Sequence, residues 1–161
     1  MDTKLKSGKF LTFAVATETY GIPTSEIREI NQLTHITAVP QTPDYIEGVM
    51  NLRGKVIPVI NLGIKLGLPR APYTKTTCVI IIQHQVQSQD VLVGMIVDAV
   101  NEVIELTSQQ IDPVPLLGDD KTKYILGMGR FEDKVLILLD VEQTLGNQSI
   151  YTQVASSDQV E

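Results

Sequence analysis

Residues Tyr45 to Leu62 read YIEGVMNLRGKVIPVINL, and the reading of this stretch decides the fold. Val49, Met50 and Leu52 lead into Arg53-Gly54, after which Val56, Ile57, Pro58, Val59 and Ile60 resume an apolar, largely β-branched run. The pattern predicts a β-hairpin. Gly54 supplies the positive φ that a tight turn needs, and the β-branched side chains suit a pleated, buried surface. Arg53 then stands at a rigid tip.

The same pattern returns as YILGMGRFEDKVLILLDV from Tyr124 to Val141. At an ungapped offset of 79 residues, Tyr45-Ile46 meets Tyr124-Ile125, Gly48 meets Gly127, Lys55-Val56 meets Lys134-Val135 and Leu66-Gly67 meets Leu145-Gly146. The segments before each hairpin align at an offset of 73, Gly21 with Gly94, Ile27 with Val100, Glu29 with Glu102, Ile30 with Val103 and Leu33 with Leu106. Register held over whole hairpins predicts an internal duplication rather than the chance likeness of β-rich segments. The six residues by which the offsets differ belong to the Asp112 to Lys123 loop.

Working outward, KFLTFAVA from Lys9 places Leu11, Phe13 and Val15 on one face of a strand and Phe10, Thr12 and Ala14 on the other. Thr17 to Thr19 turn the chain, Tyr20-Gly21-Ile22 pairs back, and Pro23 ends that ladder. Thr24 or Ser25 caps a short helical turn that carries Ile27 and Ile30, three residues apart, on one side. A strand from Ile36 to Val39 follows, and Pro43-Asp44 opens another helical turn. A third such turn begins at Asn61 or Leu62 and ends near Gly67. LPRAPYTKT, Leu68 to Thr76, has two prolines and no periodicity and is the boundary between the copies. CVIIIQ and VLVGMIVD are then strands joined by a polar loop around Gln85 to Asp90, and Asn101 to Leu106 alternates as a half-exposed strand.

The chain has 161 residues, long enough to bury about 70% of its unfolded surface without a disulfide or metal. With 43% hydrophobic residues, 5% aromatics and no Trp, its core is mostly Val, Ile and Leu, which favours sheets. Many short strands and two related halves predict two small β-barrels side by side, each too small to be stable without a shared apolar seam. A net charge of −6 argues against a nucleic-acid partner, whose phosphates demand clustered Lys and Arg. No apolar run approaches the ~20 residues that span a bilayer, and the N-terminus lacks a signal-peptide core, so a cytoplasmic location without membrane insertion is expected. Cys78, the one cysteine, lies in the run CVIII and reads as a buried, inert thiol.

The residues offer little chemistry. His35 and His84 stand at no metal-ligand spacing and read as surface or loop histidines, so neither a metal nor a cofactor is expected. Hydrolase, metalloprotease and nucleotide-loop motifs are absent, and no spacing pairs the carboxylates for acid-base work. No catalytic residue is assigned, and a binding surface remains. The most informative charge is Arg53: the corresponding turn of the second copy is Glu132-Asp133, so the tips have diverged to opposite charge. Arg53 is read as an ordinary solvated tip, as a strut fixed by a carboxylate such as Glu29, or as a functional charge.

YGIPTSEIREI, YIEGVMNLRGKVIPVINL, VGMIVDAVNEVIEL and YILGMGRFEDKVLILLDV together resemble the CheW-type chemotaxis coupling proteins, collinear from about Lys9 to Leu145. The resemblance implies an all-β fold with a few short helices, two five-stranded SH3-like barrels packed together. They form one domain over 9–146, with a first barrel over about 9–67, a connector over 68–76 and a second barrel over about 77–146. A loose N-terminus, 1–8, and a mobile C-terminal tail, 147–161, flank it. It also implies a non-catalytic adaptor that couples the cytoplasmic tips of methyl-accepting chemotaxis receptors to the regulatory domain of the histidine kinase CheA, recruited to receptor arrays through these partners. The positions matching the family's receptor-coupling residues are Ile27, Glu29, Gly48, Arg53, Cys78, Gly94, Val100 and Val103. Ile30 joins them as the partner of Ile27 in the repeat. These apolar residues read either as a groove for a partner helix or as core of the seam. No kinase-facing residue is assigned by the resemblance. Cys78 stands where the family often has a β-branched residue. The alternatives are the same module in another receptor-kinase pathway, such as twitching motility, and a small β-barrel enzyme.

Overall fold

The structure, a computed structural model, describes residues 7–114 and 123–160, with the side chains of the last helix as far as Val154. The strands are β1 (Gly8–Val15), β2 (Glu18–Pro23), β3 (Ile27–Gln32), β4 (Ile46–Leu52), β5 (Lys55–Asn61), β6 (Cys78–Val86), β7 (Gln89–Val97), β8 (Ala99–Leu106), β9 (Ile111–Asp112), β10 (Ile125–Phe131) and β11 (Lys134–Leu139). Among the described residues there are three helices, α1 (Leu62–Lys65), α2 (Val141–Leu145) and α3 (Ser149–Val160), with 3-10 turns at Thr24–Glu26 and Ser108–Gln110.

Two sheets form. One runs β8-β1-β2-β11-β10-β9 and the other β3-β6-β7-β5-β4. Each is bent into a barrel by the chain that follows its first edge strand. Beyond β3 the chain returns at Thr37 to exchange two 2.9 Å backbone hydrogen bonds with Val49 of β4. Beyond β8 it returns as β9 to pair with β10. The expected strand over Ile36 to Val39 is therefore reduced to one bridge, and Pro43-Asp44 opens a turn rather than a helix.

The sequence halves and the barrels do not coincide. β1 and β2 join β8, β10 and β11, while β6 and β7 join β3, β4 and β5, so each barrel takes strands from both copies. Contiguous barrels over 9–67 and 77–146 are thus replaced by an exchanged arrangement. The physical reason is the parallel pairing of β5 with β7 and of β11 with β2, which places each organising hairpin beside a strand of the other copy.

The duplication is legible in the irregularities. β3 carries a bulge at Arg28 against β6, and β8 carries one at Asn101 against β1, an offset of 73. β4 and β10 bulge at Glu47 and Leu126, an offset of 79. Asn61 and Asp140, again 79 apart, cap α1 and α2 by accepting from Ile64 N and Gln143 N, both at 3.2 Å. At each of these positions the chain meets the same backbone problem, and an Asn or Asp oxygen satisfies an orphan N–H at a helix start.

Three cores result. Met50, Leu52, Ile57, Val59, Val79, Ile81 and Ile96 fill one barrel, and Phe10, Ile104, Leu106, Ile111, Leu136 and Leu138 the other. The largest core lies between them and includes Leu11, Phe13, Val15, Ile22, Ile60, Ile80, Ile82, Val93, Met95 and Leu139. The predicted faces of β1 divide as expected, with Leu11, Phe13 and Val15 in this seam and Phe10 inside its barrel.

The tail expected to be mobile from 147 is instead the helix α3 over its described length. Ile150 packs on the seam and Tyr151 is fully buried in it, its hydroxyl donating to Leu145 O at 2.9 Å. His84, expected at the surface, is buried beneath it, with Nε2 2.8 Å from Gly146 O and its ring edge-on to Tyr151. Polar composition misled here, because Tyr151 with Ile150 is enough to anchor the start of the helix on the seam. Residues 1–6, and the part of the expected insertion over 115–122, lie outside the described residues.

The connector 68–76 is fastened to β4 through Glu47. Its carboxylate accepts from Arg70 Nη1 at 2.8 Å, from Asn61 Nδ2 at 3.2 Å and from the Tyr73 hydroxyl. Burial pushes the Glu47 carboxyl up, but these three donors outweigh it and hold it below the ordinary glutamate range.

Two predictions follow from the packing. Tyr151→Ala removes a wholly buried aromatic ring and is expected to lower unfolding free energy by about 3–5 kcal/mol in urea titrations, where a mobile tail would give no change. Glu47 has a lowered folded pKa, so its stabilisation is full above about pH 4.3, the unfolded value, and is lost as pH falls through the folded one. The urea midpoint of the parent should fall more steeply than that of Glu47→Gln between pH 5 and pH 3.

Candidate functional site

β3 and β8 lie at the edges of their sheets, and each presents apolar side chains toward the seam. Residues paired across strands share a face of the sheet. Ile27 pairs with Ile82 and Ile30 with Ile80, both seam residues, because the extra residue at Arg28 restores the register between them. Likewise Val100 pairs with Phe13 and Val103 with Leu11, across the bulge at Asn101. Ile27 and Ile30 were expected three apart on a helical turn. They are three apart on a bulged strand, which puts them on one side for a different reason.

The exposure gradient along each pair is the same. Ile27 and Val100 are half-buried against the seam, whereas Ile30 is 42% and Val103 55% exposed. Cys78, opposite Gln32 at the start of β6, is also half-buried on the seam side rather than fully buried, with Sγ 3.1 Å from Thr76 O. Five of the nine sequence-assigned positions therefore share the seam faces. The bulge in β8 is itself stabilised by buried Thr12, whose hydroxyl donates to Glu102 O at 2.8 Å and accepts from Glu102 N at 3.1 Å.

Glu29 and Arg53 belong to another part of the surface. Glu29 pairs with Ile81, on the barrel side of β3, and meets the hairpin tip. Arg53 Nη1 donates to Glu29 Oε1 at 3.0 Å and Nη2 donates to Oε2, a two-pronged pair that fixes the guanidinium plane. The strut reading of Arg53 is the one the geometry shows. The Arg53 hydrogen bonds hold the Glu29 carboxyl below its ordinary range. Arg53 itself has φ 51° beside Gly54 at 89°, and Asn51 Oδ1 accepts from Gly54 N at 2.7 Å, so both central residues of the turn are left-handed. In the second copy Glu132, at φ 56°, occupies the tip.

Gly48 and Gly94 are packing positions. Gly48 has φ 144°, and a Cβ there would lie 2.0 Å from Thr37 O, inside the bridge that closes the barrel. A Cβ on Gly94 would meet Val79 Cγ1 at 2.9 Å and Val59 Cγ2 at 3.4 Å, in the core of the same barrel.

The structure adds two exposed apolar side chains that the pattern left unmarked, Val56 at 41% and Val135 at 59%. They are repeat counterparts and the first apolar residues after the two tips. That position was visible in the sequence, but exposure at a strand start is not. Among the described residues no His, Cys, Asp and Glu cluster is arranged to hold a metal, and no helix is long and apolar enough to cross a membrane.

Comparison with known proteins places these features in a family. The family model described as CheW-like domain matches residues 9–149. A chemotaxis protein CheW of Klebsiella aerogenes is 35% identical over 143 residues, covering 88% of this chain and 84% of that protein. Its counterpart in Bacillus subtilis is 34% identical over 161 residues and covers 99% of each. The crystal structure of the scaffolding protein TtCheW from Thermoanaerobacter tengcongensis superposes with a TM-score of 0.74 at 35% identity, covering 83% of this chain and 89% of that one.

The contrast between packing and surface positions is testable by stability alone. Gly48→Ala is expected to cost roughly 2 kcal/mol or more through strain at a φ closed to side chains. Arg53→Ala, which removes an exposed charge pair, should shift the urea midpoint little.

Proposed function

Since this chain belongs to the CheW-like family, we propose that it is a non-catalytic chemotaxis adaptor joining the cytoplasmic tips of receptors to the regulatory domain of the histidine kinase CheA. The observation that carries the receptor half of this reading is the doubled apolar rim, Ile27 with Ile30 on β3 and Val100 with Val103 on β8, each graded from half-buried to exposed. Such a rim presents apolar area that a partner helix can bury while its inner residues stay anchored in the protein's own core. Arg53 and Glu29 add a fixed, directional pair on the barrel side of β3. A charge held in one geometry loses less entropy on binding than a free one. Gly48 and Gly94 act on receptor coupling indirectly, by keeping the closed barrel in shape beneath this surface.

The kinase half of the reading draws on the outer ends of the barrels, where the counterpart residues Val56 and Val135 stand exposed after the two tips. Related surfaces, one on each barrel of a duplicated protein, let it contact two neighbours at once, the property an array-building adaptor requires. The connection to a membrane is made through the receptors, and the chain itself inserts nothing into the bilayer.

Reconstitution with CheA and receptor signalling fragments tests both halves, reading kinase activity and pulldown. Val103→Asp is expected to weaken receptor pulldown by a few kcal/mol while kinase binding persists, because a charge is forced into an apolar interface. Val135→Asp is expected to do the reverse. Unchanged pulldown for both variants would remove the site assignments, and kinase activity indifferent to the protein would remove the function.

A further inference from the structure

Tyr45 and Tyr124 are repeat counterparts, one leading into β4 and the other into β10, and so one belongs to each barrel. Their backbones are held alike, with Tyr45 O accepting from Asn61 N at 2.7 Å and Tyr124 O from Asp140 N at 2.8 Å. Both rings pack at the margin of the seam. The ammonium of Lys65, at the end of α1, lies 4.0 Å from the centroid of Tyr45 and 5.6 Å from that of Tyr124. Lys123 reaches only the ring of its neighbour Tyr124, at 5.3 Å.

We propose that Lys65 is a positioning residue that ties the two barrels together, one cation shared by the two repeat-related tyrosines, and so sets the relative attitude of β3 and β8. The duplication makes this site asymmetric. The counterpart of Lys65 in the second copy is Thr144, which is buried and donates to Asp140 O of its own helix at 2.7 Å. Lys65 is the lysine that reaches both rings, whereas Lys123 meets Tyr124 alone. The apolar seam cannot fill this role by itself, because burial is non-directional and tolerates small rotations of one sheet over the other. A cation over two ring faces is directional, and it weakens as soon as either ring swings away. The consequence for function, which rests on the adaptor reading above, is that Lys65 controls how far apart the Ile30 and Val103 rims stand when a partner helix arrives.

The attitude of the barrels is measurable without any partner. Nitroxide labels on Lys55→Cys and Lys134→Cys, counterparts at the two exposed tips, in a Cys78→Ser background, report the tip-to-tip distance by pulsed electron resonance. The parent is expected to give one narrow distribution, Lys65→Met one roughly twofold broader, and Lys65→Arg the parental width, since a guanidinium keeps the cation. Tyr124→Leu, which removes one of the two rings, should broaden the distribution as well and serves as the readout if Lys65→Met does not fold. A parental width in Lys65→Met, or in Tyr124→Leu should that variant stand in, overturns the proposal. Broadening that Lys65→Arg fails to restore overturns it too, since it assigns the effect to packing. Receptor pulldown on the same variants separates this result from the adaptor function: a broadened protein that binds receptor normally retains the tie and loses only its proposed consequence.

Discussion

The seam between the two sheets is the constraint on which the rest depends. Among the described residues each barrel encloses six or seven buried apolar side chains, too few for a domain of this size to rely on. The larger reservoir lies between them, where Leu11, Phe13 and Val15 of one sheet meet the Ile80, Ile82, Val93 and Met95 side of the other. At about 1.5–3 kcal/mol for each large side chain fully removed from water, that layer outweighs either interior. Its strands are also exchanged between the copies, so neither copy closes a barrel alone, and folding must bring residues far apart in the chain together before any core is complete.

The rim follows from the seam. A residue on the seam face of a central strand is buried, but on an edge strand it is covered from one side only. Ile27 and Val100 lean on the core, while Ile30 and Val103 reach past it. Two bulges, at Arg28 and Asn101, keep each pair on that face. Without them, period-two alternation would turn the outer residue of each pair into its barrel, and the exposed apolar surface would vanish.

Where the copies have diverged, the structure shows what each change serves. At the tips, Arg53 pairs with Glu29 in the first copy, whereas their counterparts in the second, Glu132 and Glu102, carry like charge and make no such pair among the described hydrogen bonds. Beside the seam, buried Val91 of β7 lies under α3, while its counterpart on β2 is the exposed Glu18. After the two hairpins, Lys65 of α1 has buried Thr144 of α2 as its counterpart. Duplication supplied two equal frames, and these substitutions made the two ends of the protein chemically different.

Local pattern by itself determined a good deal: the two hairpins, the faces of β1, the helical turn that begins at Asn61 or Leu62, the duplication and the family resemblance. These depend on residues within a few positions of one another or on identities held in register, and both are visible in one dimension. Strand exchange, the bulges that align Ile27 with Ile30, the burial of His84 and the docking of α3 through Tyr151 were decided only in three dimensions. Each turns on which distant strand lies alongside. The parallel pairing of β5 with β7 and of β11 with β2 leaves no local mark, because the same alternating side chains satisfy either neighbour, and only the closure of a shared core selects between them.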